Sequence, residues 1–202
     1  MDTWPGLGPG DDPLSDDSPE TWERLVQAIG PASVLVFLEG RMGPRLRAAV
    51  GPEDLWQETL LHVWRDRGRC EWRGISPFRR WVLTVAENRI RNAADRIDAV
   101  KRAGDAPVGS DGGEEEGSAP PPVSSTTPSQ IASHLEEAAL MRTALGGLAE
   151  DVRDVVRLRL FEERSVDEVA AELDLGVSAV KHRFRKGAGE YQARLERLLA
   201  ER

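Results

Sequence analysis

The sequence predicts an all-α fold: two small helical domains joined by a flexible linker, the C-terminal one a helix-turn-helix. Three observations predict it. Apolar residues recur at three- and four-residue spacing along most of the 202-residue chain, and the alternating apolar–polar runs that would signal strands are absent. A Pro-, Gly- and Ser-rich acidic stretch, residues 103–130, interrupts that periodicity and cannot assemble a core. Beyond it, Ser165-Val-Asp-Glu168, a short apolar run, Asp174-Leu-Gly176 and a second helical run follow at the spacing of two helices meeting in a tight turn.

A formal net charge of −8 argues against a polyanionic partner until its distribution is considered. Residues 1–23 hold seven acids and no base, and residues 103–140 hold the same. Between them, residues 41–102 carry fourteen Lys and Arg against eight Asp and Glu. A basic block flanked by acidic segments points to contact with nucleic acid. The one cysteine, Cys70, excludes an internal disulfide and suits a reducing compartment. No apolar run approaches the ~20 residues of a membrane-spanning helix. Acids stand where a signal peptide needs bases, so a soluble, cytoplasmic protein is expected. His62, His134 and His182 lie in unrelated contexts with no paired carboxylates, nucleophile elbow or phosphate loop. Neither an enzyme nor a metal or cofactor site is expected.

Residues 1–18 hold many Gly and Pro and little to bury, and read as a disordered acidic tail. The first domain is expected over 19–102. Ser18-Pro19-Glu20 opens a helix with a capping serine, a proline in the first turn and an acid on the positive end of the dipole. Trp22, Leu25, Val26 and Ile29 form its apolar stripe, and Gly30-Pro31 ends it. Helices follow at about 32–42 and 44–50, and Gly51-Pro52-Glu53-Asp54 caps the next, to Asp66. That helix turns Leu55, Thr59, Leu60 and Val63 inward. A basic loop, 67–76, leads to a helix from Pro77 to Ala99 with Phe78, Trp81, Val82, Val85 and Ile90 on one face. Four of the six tryptophans fall between Pro52 and Trp81, and Trp64 and Trp81 are expected in the core.

After the linker the second domain is expected over 131–202, with helices from about Ile131 to Gly146 and Glu150 to Glu162 before the helix-turn-helix. Leu175 and Val177 would plug the angle between its helices, and Val180 and Phe184 would hold the second helix down. Its outward residues are Ser178, Ala179, Lys181, His182, Arg185 and Lys186. With Arg183 they form a basic surface containing no acid between Gly176 and Gly189. A second helix of this kind offers its N-terminal part to the major groove, with its cations on phosphates. Gly187 and Gly189 each cost about 1 kcal/mol relative to Ala, so a bend or fraying is expected there.

Taken together, the two ends resemble a known family. Asp54-Leu-Trp-Gln-Glu58 with Val63-Trp64, Trp72-Arg-Gly-Ile-Ser-Pro-Phe-Arg-Arg-Trp81 and Ala86-Glu-Asn88 are similar to region two of sigma factors. Residues 142–199 are similar to region four, including Ser165–Ala170 and Val180–Arg183. The layout resembles the extracytoplasmic-function (ECF) group. The resemblance implies binding to core RNA polymerase, through the β′ coiled coil and the β flap, and recognition of promoter DNA. An anti-sigma factor is a further implied partner. On that basis Asp54, Leu55, Gln57, Glu58, Leu61 and Trp64 are expected to face polymerase. Arg69, Trp72, Arg73, Arg79, Arg80 and Asn88 are expected at the minus-ten element, with Trp72 as the ring on which a base stacks. Ser178, Ala179, Lys181, His182, Arg183, Arg185 and Lys186 are expected at the minus-thirty-five duplex. Two other readings remain open on the residues alone: a stand-alone helix-turn-helix regulator, and a polymerase-binding adaptor that opens no promoter.

Overall fold

The structure is a computed structural model that describes residues 12–103 and 127–201. Residues 1–11 of the expected tail and 104–126 of the expected linker lie outside the described residues. Among the described residues there are helices and no strands. One compact unit runs up to Ile29 and resumes over Leu38–Pro128; the other gathers Gly30–Phe37 with the residues from Ser129 onward.

The first unit is built from α1 (Pro19–Ala28), the end of α2 (Pro31–Arg41), α3 (Pro44–Ala49), α4 (Pro52–Asp66) and α5 (Ile75–Ala103). Ser18 caps α1 by accepting from the Thr21 amide at 3.3 Å, and Gly30 takes the positive φ of 71° that separates α1 from α2. Asp54 caps α4 by accepting from the Gly51 amide at 3.3 Å. Leu55, Trp56, Thr59, Leu60 and Val63 of α4 are buried, as are Phe78, Val82 and Ala86 of α5, against which α4 packs. Thr59 is tolerated there because its hydroxyl donates to the Leu55 carbonyl at 2.6 Å. Each fully buried aliphatic or Phe side chain contributes roughly 1.5–3 kcal/mol.

Helix α5 begins two residues earlier than the pattern predicts. Gly74, at φ 102°, swings the chain out of the loop, and Pro77 sits within the first turn, where its missing N–H leaves no helical bond unmade. The segment 12–18, expected as tail, is also more ordered than its composition suggests. Leu14 is buried, and its amide donates to Asp12 at 2.9 Å.

In the second unit α6 spans Pro128–Gly146 and α7 Glu150–Val156, continuing as a single π-helical turn, Arg157–Phe161. Helices α8 (Val166–Glu172) and α9 (Val177–Ala200) follow. The capping box of α8 is complete: Glu168 N donates to Ser165 Oγ at 3.1 Å, and Ser165 N to Glu168 Oε2 at 2.6 Å. Asp174, at φ 51°, makes the turn between α8 and α9. Val155, Leu158, Val169 and Val180 form the buried centre of this unit, with Val166, Ala170, Leu173, Leu175 and Phe184 packed around it. Leu175 plugs the turn as expected, but Val177 is 39% exposed.

The expected fraying of α9 does not occur. Gly187 is buried where α9 crosses α7, and a Cβ there would stand 2.1 Å from Val152 Cγ1 and 2.6 Å from Val156 Cγ2. The glycine is a contact requirement that outweighs its helix cost. Gly189 has open space around it.

Candidate nucleic-acid interface

The outer face of α4 presents Asp54, Gln57, Leu61 and Arg65, at three- and four-residue spacing along one exposed stripe. Leu61 is 37% exposed among these polar neighbours. Three residues expected beside them lie elsewhere. Leu55 is buried in the α4–α5 interface. Trp64 is buried, in agreement with its expected place in the core and not on this face, edge-on to Trp22 at 5.1 Å between ring centroids, with the Arg67 guanidinium 3.6 Å over its ring. Glu58 turns toward α5, where it pairs with Arg96 at 3.0 Å and Arg89 at 3.8 Å. Arg89 also meets His62 Nε2 at 2.7 Å. Burial first, and then the Arg89 charge, hold the His62 pKa below its ordinary value.

The loop after α4 is a 3₁₀ turn, Arg67–Arg69, followed by Cys70–Gly74. Arg67 pairs with Asp17, Arg69 with Asp66 at 3.2 Å, and Arg73 with Glu71 at 2.7 Å. Arg69 and Arg73 remain largely in solvent, so their carboxylate partners can be exchanged for phosphates. Burial, then the charges of Asp12 and Glu71, push the Cys70 thiol up, which makes it a poor nucleophile.

Three rings stand in series at the start of α5. Trp72 and Trp81 each lie 5.9 Å from Phe78 between centroids, Phe78 buried and both tryptophans half-buried. Trp81, expected in the core, instead forms a wall of an open pocket of about 370 Å³ lined also by Ser76, Pro77, Arg80 and Thr84. Above it on the same exposed face of α5 stand Asn88 and Arg91. Arg79, expected on a phosphate, is buried at 8% exposure, and its Nε donates to the Ile29 carbonyl at 2.9 Å. It satisfies the C-terminal end of α1, where a cation is favoured. An arginine's burial by a partner fifty positions away leaves no periodic signal in sequence.

On α9, Ser178, Lys181, His182 and Arg185 share the exposed face, with Ala179 half-buried at its edge. Lys186 is exposed and lies 4.0 Å from Glu190. Arg183 departs from the expected surface: its Nε lies 3.8 Å from Asp151 Oδ2, which ties it to the first turn of α7. No group of His, Cys, Asp and Glu fit to hold a metal occurs among the described residues.

The described residues thus carry an exposed polar stripe on α4, a pocket walled by Trp81 at the start of α5, and a basic exposed face on the second helix of a helix-turn-helix. Residues 41–99 match the sigma-70 region 2 family, and residues 138–188 match sigma-70 region 4. The chain is 28% identical over 135 residues to the ECF RNA polymerase sigma factors SigK of Mycobacterium sp. strains JLS and KMS. Each match spans 67% of this chain and 65% of the relative, just under two thirds of the relative's length. A solved structure of CnrH in complex with the cytosolic domain of CnrY matches across 94% of this chain and 93% of that one, at 19% identity and a TM-score of 0.31. The chain belongs to the sigma-70 family, as a factor of the ECF kind carrying regions two and four.

Proposed function

We propose that the protein binds core RNA polymerase and directs it to promoters, with polymerase contact, minus-ten melting and minus-thirty-five reading carried by three separate surfaces. The α4 stripe of Asp54, Gln57 and Leu61 docks on polymerase. Trp72 stacks an unpaired base of the minus-ten element, and Arg69, Arg73 and Arg80 hold the strand's phosphates. The pocket against Trp81 and Thr84 receives a second base, with Asn88 reading along the same face. Unstacking costs a few kcal/mol per step, and each base stacked on a ring returns about 1–3 kcal/mol. Ser178, Ala179, Lys181, His182, Arg185 and Lys186 face the minus-thirty-five duplex. The protein supplies no catalysis of its own, and an anti-sigma factor is the partner expected to hold it inactive.

The observation that carries this reading is the pocket at the start of α5, open to solvent and walled by Trp81 and Arg80, with Trp81 in series through Phe78 with Trp72. A stand-alone regulator needs the α9 surface and has no use for it. Run-off transcription with purified core polymerase on a promoter library, with and without the protein, tests the proposal. Initiation at a subset of promoters is expected. Tight duplex binding by the protein alone, with no gain in initiation, supports the stand-alone regulator. Asp54→Arg with Leu61→Arg is expected to abolish co-elution with core while leaving the helical content intact.

A further inference from the structure

The segment Asp12–Ser18 is fastened across the loop by contacts that its sequence does not advertise. Leu14 is buried at 3% exposure, although acids stand on both sides of it. The backbone folds back on itself there, with Ser15 N and Oγ both donating to the Asp12 carbonyl, at 3.2 and 2.7 Å. Asp16 accepts from the Thr21 hydroxyl at 2.6 Å and from the Ser18 amide at 2.9 Å, which hinges the segment on the first turn of α1. Asp17 then reaches fifty residues along the chain to pair with Arg67. Arg67 is held from the other side by the Trp64 ring and by the Trp64 carbonyl, to which it donates at 2.6 Å. Asp12 lies close enough to Cys70 for its charge to act on that thiol.

Of the loop arginines Arg67, Arg69 and Arg73, two pair with carboxylates within three residues of themselves. Only Arg67 among these three pairs with a carboxylate from a distant segment. Asp17 is 78% exposed while Arg67 is 18% exposed, so water and salt screen the carboxylate side of the pair and a competing anion can reach it there. A strap with a firm apolar anchor, a hinge and a charged latch can be displaced at the latch alone.

We propose that Asp12–Ser18 is an autoinhibitory strap whose Asp17 carboxylate occupies the place of a nucleic-acid phosphate at the Arg67 end of the loop, so that a single strand must displace Asp17 to seat on Trp72. The proposal rests on the reading of this loop as DNA-facing. Its chemistry is a competition of two anions for one guanidinium, and the strap slows engagement of weak strands more than strong ones.

The test uses holoenzyme assembled from the full chain and core polymerase, with fluorescein-labelled single-stranded DNA of random sequence as probe. Asp17→Asn removes the latch and keeps its shape; Leu14→Asp expels the anchor; Trp72→Ala reports on the loop itself. Thermal melts establish that each variant folds, and Asp17→Asn carries the test if Leu14→Asp does not. Both strap variants are expected to bind the probe about two- to fivefold more tightly at low salt, the equivalent of one exposed ion pair. In the wild type, the probe is expected to speed amide hydrogen exchange at Leu14. Unchanged or weaker binding by Asp17→Asn overturns the strap, since the segment is then a structural prop. If Trp72→Ala also leaves binding unchanged, the DNA-facing reading of the loop fails with it; if Trp72→Ala weakens binding, that reading stands and the strap alone falls.

Discussion

The two surfaces assigned to DNA carry comparable positive charge and hold it in opposite ways. In the loop before α5, Arg67, Arg69 and Arg73 are each paired with a carboxylate. On α9, Lys181 and Arg185 are exposed with no carboxylate partner among the described residues. The proposed function gives the difference a physical reason. A duplex offers fixed phosphates, and open cations on a rigid helix meet them without reorganisation. An unpaired strand is seated through its bases, and cations already paired hold it weakly until stacking adds its share. Under the proposed function, strand capture in the first unit therefore depends on rings and is moderated by acids, whereas duplex reading in the second depends directly on charge.

The largest effect expected from breaking this contrast is at Trp72. Loss of one stacked base costs about 1–3 kcal/mol, so Trp72→Ala is expected to lower promoter opening about five- to hundredfold, measured by permanganate reactivity of unpaired thymines. Co-elution with core polymerase should be unchanged, and an equal loss in both assays would contradict the division of surfaces. The matching change on α9, Lys181→Ala with Arg185→Ala, is expected to weaken duplex binding by roughly tenfold. The plot of log affinity against log salt should also flatten by about 2, at close to 0.9 per lost phosphate contact. Trp72→Ala should leave that slope untouched.

How far these surfaces were legible in sequence differs between them for a physical reason. The face of α9 follows from helical periodicity, because Ser178, Lys181, His182 and Arg185 come round together whatever lies behind them. The capping box at Ser165 and the breaks at Gly30 and Gly51 are equally local, and the helix order was read from them. What escaped depends on residues far apart in the chain. The family resemblance implies a phosphate contact for Arg79, whose Nε is instead buried on the Ile29 carbonyl. Glu58 was placed on polymerase and is held by Arg89 and Arg96. Leu14, an apolar residue flanked by acids, is buried although the composition around it predicts a disordered tail. Pairing preferences at the surface are nearly free of backbone consequence, so no cap or breaker records them.

Gly187 shows how the open surface is kept rigid. Its missing Cβ lets α9 lie against Val152 and Val156, whose branched side chains have little freedom to withdraw in a helix. Gly187→Ala is expected to cost about 1–3 kcal/mol in overpacking, offset by about 1 kcal/mol of helix propensity, for a net loss of stability. Gly189→Ala meets nothing within 4 Å and is expected to gain up to about 1 kcal/mol. Thermal melts of the two variants should therefore move in opposite directions, and a gain in both would show that α7 and α9 separate easily. The same overpacking would loosen the lysine and arginine of the duplex-reading face, linking a core defect to the salt slope measured there.

The smallest expected effect concerns the α4–α5 network, where paired charge also makes the first unit sensitive to acid. His62 faces Arg89 directly, with Glu58, Arg65 and Asp66 acting on it as well. Burial and Arg89 lower its pKa in the folded state, outweighing the opposing pull of the two acids. As pH falls below about 6.5, the unfolded chain takes up a proton that the folded chain resists, so stability declines from there toward the depressed folded value. Above about 6.5 the contribution is complete and flat. His134 titrates in the same direction through burial, so the whole-protein curve does not isolate His62. His62→Gln does, because the amide oxygen still accepts from Arg89 and carries no titration. The wild type should lose more melting temperature than His62→Gln between pH 7 and pH 5, a modest difference for a half-buried ring. Parallel curves would mean that Arg89 swings to Glu58 when the imidazole charges, leaving the network intact.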